Sequence, residues 1–246
     1  MRYLVLSDIH ANLQALDAVL ADARAVGYDR VVVLGDLVGY GADPNAVVER
    51  VRALDPAAIR GNHDKVCSGV EPAHSFNMVA RIAAEWTLNA LTPDNRRYLA
   101  ELPVGPRQID DRFEICHGSP YDEDLYVFDE MEAQQSIRSA TQPLCLFGHT
   151  HVPVMWSLGP RGLEMAAPRD GDGMVVDLDD AQRYLINPGS VGQPRDGDPR
   201  AAYAFVEPEV RRVSLRRVVY PIEAAQAAIL NAELPAVLAR RLAVGR

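Results

Sequence analysis

Apolar residues arrive along the chain in two rhythms, and their alternation predicts its elements. Tyr3-Leu4-Val5-Leu6 is a continuous apolar run that stops at Ser7-Asp8, the profile of a strand buried on both faces. Leu13, Leu16, Ala18, Val19, Leu20 and Ala23 then recur at helical spacing as far as Gly27, a helix stop. Val31-Val32-Val33-Leu34 repeats the strand profile and ends at Gly35-Asp36. Asp43 as cap and Pro44 at the first helical position open a second helix, which carries Val47, Val48, Val51 and Leu54. Ala57-Ala58-Ile59 leads to a third strand end at Gly61-Asn62-His63. This βαβαβ order predicts a mostly parallel sheet with helices on its faces.

Further along, Val79, Ile82, Ala83, Trp86 and Leu91 predict a helical stretch from about Ser75 to Leu102. Past Pro103 the pattern turns to short β runs at 104–109, 113–116, 144–147, 152–156, 174–176, 184–186, 202–206 and 210–219, with a helix near Met131–Ser139. Gly159 to Gly173 is rich in Gly, Pro and charge and reads as an exposed loop. Two helices parted near Leu234-Pro235 form a tail over about 222–246. No repeat or clear linker divides the chain, so 1–246 reads as one domain with that tail.

Composition narrows the function classes. Hydrophobic residues make up 48% of the 246 and charged residues 24%, a globular balance with ample material for a core. Lys and Arg number 25 against 34 Asp and Glu, and the net charge of −9 argues against a binder of long nucleic acids, which carries a basic stripe. Cys67, Cys116 and Cys145 are scattered with no CxxC spacing, so no disulfide framework is expected and a reducing cytoplasm is the default location. No secretory signal and no span of ~18–20 apolar residues is visible, so no membrane role is expected.

Five short motifs change the picture: Asp8-Ile9-His10, Gly35-Asp36, Gly61-Asn62-His63-Asp64, His117-Gly118 and Gly148-His149-Thr150-His151. Each alone is weak, since a histidine beside a strand is more often packed or solvated than ligating. Together they hold five of the six histidines, and nearly every motif follows an apolar run. Ligands at the carboxyl ends of strands converge on one crevice. Imidazole nitrogens and carboxylate oxygens without thiolate suit Mn, Fe, Co, Ni or Zn. In Asp8-x-His10 and His149-x-His151, alternate residues reach one site from extended backbone, or two neighbouring ions where the chain bends.

The order D-x-H, G-D, G-N-H-D, H, G-H-x-H resembles the calcineurin-like metallophosphoesterase superfamily from Asp8 to His151, and Asn187-Pro188-Gly189-Ser190 extends the match to about residue 190. That segment and Gly192-Gln193-Pro194-Arg195 are similar to the small bacterial and archaeal phosphodiesterase branch, and less so to animal protein phosphatases. The resemblance implies a four-layer α/β/β/α sandwich with two mixed β-sheets and two divalent transition-metal ions at its edge. Carried over, Asp8, His10 and His151 would take the first ion, and Asn62, His117 and His149 the second, with Asp36 bridging. His63 would be the histidine beside the ions that ligates neither, and Asp64 would orient it.

Two ions about 3.5–4 Å apart can activate a bridging hydroxide and clamp both attacking and leaving oxygens of an in-line displacement. They add four charges to the formal −9, concentrated in one cleft where an anionic ester would go. His63 is the candidate general acid for the leaving oxygen, an effect worth roughly 10²–10⁴-fold. Asn12, Asn187 and Arg195 are candidate substrate contacts, with a helix cap and a surface salt bridge as the plainer readings of Asn12 and Arg195. Gly39-Tyr40-Gly41 reads first as a flexible turn and second as a border of the pocket. The expectation is a phosphodiesterase acting on small phosphoesters, nucleotides foremost. A phosphomonoesterase or protein phosphatase is the alternative within enzymes, and a catalytically silent docking protein of the same fold the alternative outside them. The apolar face of the tail fits intramolecular packing first and a homodimer second.

Overall fold

The computed structural model describes residues 1–168 and 173–246. The chain opens as β1 (Tyr3–Leu6), α1 (Leu13–Val26), β2 (Arg30–Val33), α2 (Pro44–Arg52) and β3 (Ala57–Ala58), the βαβαβ unit that the apolar rhythm predicts. Asn12 starts α1 with its side-chain oxygen on the Ala15 amide, while Asp43 precedes α2 without making a capping bond. A short α3 (Asn62–Cys67) comes next, then α4 (Met78–Ala90), α5 (Pro93–Ala100), β4 (Arg107–Asp110), β5 (Phe113–Ile115), α6 (Glu130–Ser139) and β6 (Leu144–Leu146). The remainder is β7 (Val154–Gly159), β8 (Gly162–Ala166), β9 (Met174–Asp177), β10 (Arg183–Asn187), β11 (Ala201–Glu207), β12 (Arg212–Val218), α7 (Ile222–Asn231) and α8 (Ala236–Leu242).

Two mixed six-stranded sheets result, ordered β3-β2-β1-β11-β12-β9 and β4-β5-β6-β10-β7-β8. In the first, β1, β2 and β3 run parallel and the β11 side is antiparallel; in the second, β5, β6 and β10 are the parallel core. The fully apolar strands are explained by what covers both their faces. In β1, Leu4 and Leu6 meet the helices α1, α2, α7 and α8, while Tyr3 and Val5 point into the space between sheets beside Phe113, Leu146 and Ile186. The second sheet packs its other face, with Cys145, Trp156 and Leu185, against Ala133 and Ile137 of α6. The layers are therefore α/β/β/α. The tail helices join the first helical layer through Ala225, Ile229, Leu238 and Leu242. No helix among the described residues is long and apolar enough to cross a membrane.

Three local expectations are corrected, and one short helix is added. The stretch 75–102 is a 3₁₀ turn at Ala73–Ser75 plus two helices, because Leu91 and Thr92 are extended and Thr92-Pro93 starts a new helix with its own cap. The segment 159–173 is no loop over its first half: β7 runs to Gly159 and pairs with β8 as a hairpin whose polar sequence reflects exposure. Its residues 169–172 lie outside the described ones. The strand expected at 104–109 begins only at Arg107. Six-residue α3 is too short for helical periodicity to reveal.

Candidate metal centre

The parallel strands of both sheets end at one edge, and the five motifs lie just beyond those ends. Asp8 and His10 come after β1, Asp36 after β2, Asn62 and His63 after β3, His117 after β5, and His149 and His151 after β6. Asp8, His10, Asp36, His149 and His151 all have φ between 48° and 66°. Asp and His tolerate this left-handed region better than most side chains, and it turns successive residues inward. Gly61 lets the backbone close in, since a Cβ there would sit 2.1 Å from Asp36 Oδ1.

The side chains converge in two groups. Ligand atoms of Asp8, His10, Asp36 and His151 lie within 4.8 Å of one another, as do those of Asp36, His117 and His149, and all are buried. Asp36 is common to both groups. Its Oδ2 is 3.5 Å from His10 Nε2 and 3.5 Å from His117 Nε2, while its Oδ1 accepts the His63 amide at 2.8 Å. His151 Nε2 lies 3.5 Å from Asp8 Oδ1. Asn62, the neutral member, brings its Oδ1 to 3.1 Å from His117 Nε2.

Backbone carbonyls set the four histidine rings of the two groups. His10 Nδ1 donates to Val38 O at 3.1 Å, His151 Nδ1 to Gln193 O at 2.6 Å and His117 Nδ1 to Leu34 O at 2.8 Å, each turning Nε2 inward. His149 is reversed: Nε2 donates to Asp124 O at 3.1 Å and Nδ1 is left for the centre. Such outer partners fix the tautomer of a ligating imidazole.

The donor set fits divalent ions. Ligand atoms about 2.0–2.2 Å from one ion stand roughly 3.0–3.5 Å from each other, and the spacings of 3.0 to 3.5 Å found here lie in that range. His10 and His151 are the clearest case. Burial holds both well below the usual imidazole range, so each is neutral with its one N–H on a carbonyl. Their Nε2 lone pairs then face each other at 3.0 Å, an arrangement in which a shared cation would meet the demand of both. His117 shows the same demand. Burial alone would lower it, but the carboxylates of Asp36 and Asp8 overcome that and raise it to about 10. Asp36 answers in kind, since burial would raise it while His117 and His63 hold it well below the carboxylate range. Asp8 is pushed up to about 6 by burial, against the pull of His117.

His63 stands beside both groups in a cage of rings. Its centroid is 4.3 Å from that of Tyr40, 4.6 Å from Phe76 and 4.9 Å from His10. Its buried Nδ1 has no hydrogen-bond partner, and burial lowers it to about 4. Gly39, at φ 88°, makes room for it, because a Cβ there would fall 2.3 Å from that Nδ1. The Gly39-Tyr40-Gly41 segment is thus a wall of the centre rather than a free turn.

Three sequence expectations need correction. Asp64 does not orient His63: its Oδ1 accepts the Leu37 amide at 2.8 Å and its Oδ2 the Gly61 amide at 3.0 Å, tying the loop after β2 to the start of α3. Burial raises this carboxyl to about 7. Asn12 is a cap whose amide also donates to Gly192 O at 2.9 Å, so it is not free for substrate. Asn187 is wholly buried, with its amide donating to Gly148 O at 2.7 Å and Thr150 Oγ1 at 3.0 Å, and clamps the His149–His151 loop. Arg195 does reach the centre. Its guanidinium carbon lies 5.7 Å from the Tyr40 ring centroid, one N–H donates to Gln193 Oε1 at 3.0 Å, and Nε is buried without a partner. Sequence reasoning placed Tyr40 first in a turn and missed Phe76 and Tyr126, the last stacked on His149 at 3.7 Å.

The comparisons agree with this geometry. The sequence profile of the calcineurin-like phosphoesterase superfamily domain matches residues 1–210, and the chain belongs to that family. It is similar to an uncharacterized protein of Methanocaldococcus jannaschii, 35% identical over 249 residues that cover 98% of this chain and 97% of the relative. Among solved structures, a metallophosphoesterase from Sphaerobacter thermophilus superposes with a TM-score of 0.87 at 43% identity, covering 100% of this chain and 99% of that one. A hypothetical protein from Pyrococcus horikoshii OT3 shares the fold with a TM-score of 0.80 at 21% identity, covering 100% and 98%.

Proposed function

We propose that this chain is a binuclear metal-dependent phosphodiesterase of small molecules, nucleotides foremost. Asp8, His10 and His151 would hold one ion, Asn62, His117 and His149 the other, and Asp36 both. The observation that carries the reading is the meeting of two buried ligand groups at Asp36 Oδ2, with His63 alongside and its Nδ1 bound to nothing. Nitrogen and oxygen donors of this kind accept Mn, Fe, Zn, Ni or Co.

Two such ions, when bound, supply an activated water and a Lewis-acid clamp on phosphoryl oxygens. The chain's own groups do the rest. Arg195 has no carboxylate partner among the described residues and turns its guanidinium to the centre, where a phosphoryl oxygen can take it. His63 protonates the leaving oxygen; an anionic ester beside the ring favours its charged form against the effect of burial. Tyr40 and Phe76 keep that ring in one orientation.

The test compares bis(4-nitrophenyl) phosphate with 4-nitrophenyl phosphate at saturating Mn²⁺. Faster turnover of the diester, abolished by chelation and restored by Mn²⁺, supports the assignment. Equal or preferential turnover of the monoester replaces it with a phosphomonoesterase, and no turnover of either removes the enzyme.

A further inference from the structure

The segment 125–128 between His117 and α6 alternates as an extended chain does. Leu125 and Val127 face inward and pack on the cluster of Cys116, Ala133 and Phe147. Tyr126 and Phe128 therefore face outward together. They are 41% and 64% exposed, and their rings lie 5.6 Å apart with planes only 4° from parallel. Tyr126 continues the stack onto His149, 3.7 Å away at 27°. An unbroken run of rings thus leads from the buried centre to solvent.

The support under it is stiff. Glu123 accepts two hydrogen bonds from Arg60, Asp124 pairs with Lys65 at 2.6 Å, and the Phe128 amide donates to Glu132 at the start of α6. Both rings keep exposed surface, although Tyr126 abuts a side chain of the centre. Exposed apolar surface that is rigid and joined to a site marks a place where a ligand lands. Its shape narrows the ligand: two near-parallel rings offer flat faces and no matching charge, which fits a planar aromatic group rather than a phosphate.

We propose that Tyr126 and Phe128 form a stacking platform for the aromatic ring attached to the reacting phosphate, which makes a nucleoside phosphate ester the substrate class. The inference rests on the phosphoesterase reading above and sharpens it. It also explains how an acidic chain holds a nucleotide without a basic track, since stacking needs no charge.

Equilibrium binding to the Mn²⁺-loaded protein tests the platform, with AMP and ribose 5-phosphate as probes. The two share phosphate and ribose and differ in the base. Stacking one base on aromatic side chains is worth about fivefold to hundredfold in affinity, so AMP should bind at least about fivefold more tightly. Phe128→Ala, at an exposed position away from the ligands, should cut that preference several-fold while leaving ribose 5-phosphate unchanged, and Phe128→Trp should keep it. Equal binding of the two probes by the wild-type protein, or an equal loss for both in Phe128→Ala, overturns the platform. Failure of the underlying reading looks different: the nitrophenyl esters are then not turned over and neither probe binds. Failure of the platform alone leaves ester turnover intact.

Discussion

His10 and His151 donate to the carbonyls of Val38 and Gln193, both buried, and both tied to loops directly after strands. His149 donates to the carbonyl of Asp124, an exposed residue in the loop beyond His117. That loop is held by ion pairs, with Arg60 on Glu123 and Lys65 on Glu123 and Asp124. One half of the centre is thus fixed by the sheets and the other partly by a loop. A ligand is only as firm as the carbonyl that aims it. The half around Asp8, His10 and His151 is expected to hold its ion more tightly than the half around His117 and His149.

The largest effect should come where the halves join. Asp36→Ala removes the one side chain common to both groups, so both ions should be lost, with affinity down by more than about a hundredfold, beyond the 10–100-fold typical of an outer partner. Metal analysis after desalting checks this, and two ions still present would end the shared role of Asp36. His63→Ala should separate chemistry from binding. Both ions stay, turnover of an alkyl diester falls by about 10²–10⁴-fold, and bis(4-nitrophenyl) phosphate, whose leaving group needs little protonation, loses far less. Equal losses on the two esters would remove His63 as the acid.

Legibility in the sequence divides along the same line. The Asp and His residues that cluster after strands could be picked out because an apolar run, a glycine and a polar residue with ligand chemistry stand together, as in Val31–Leu34 followed by Gly35-Asp36. A sheet with helices packed on it could be read because strands covered on both faces are apolar throughout, whereas the four layers came only with the resemblance carried by the motifs. Contacts made by backbone could not. Asp124 aims His149 with a carbonyl, which every residue has, so no residue type signals it. Asn12 and Asn187 illustrate the converse, for a buried amide that clamps a loop looks in sequence like one that touches substrate. Asp64 sits next to His63 in the chain, yet helical geometry at the start of α3 sends its carboxylate to Leu37 and Gly61.

Lys65→Met tests the loop-held half by itself. Lys65 is 4% exposed and pairs with Glu71, Glu123 and Asp124, so its loss loosens the loop that carries the Asp124 carbonyl. In a stepwise Mn²⁺ titration the weaker site should lose about tenfold in affinity while the tighter one stays unchanged. Arg81→Gln, which breaks an exposed pair with Glu85, should change neither. An equal loss at both sites would show that the halves are not held independently.

Acid should act on the same half, and more gently. The bidentate Arg60 guanidinium, with Lys65 nearby and burial opposing, holds the Glu123 carboxyl below its ordinary value. A carboxylate depressed by folding contributes stability that is complete above its unfolded pKa of about 4.3 and is lost as pH falls through the folded value. Between about pH 5 and about pH 3, amide protection in 119–128, taken relative to the unstructured rate at each pH, should therefore fall before protection in β1 or β11 does. Arg60→Gln should flatten that dependence, because Glu123 then titrates near its unfolded value and the loop is already loosened at neutral pH. If the wild-type loop instead kept constant protection down to the pH of global unfolding, the ion pairs would not be what holds it. The contrast would then have to rest on Leu125 and Val127, whose packing on the α6 side does not titrate.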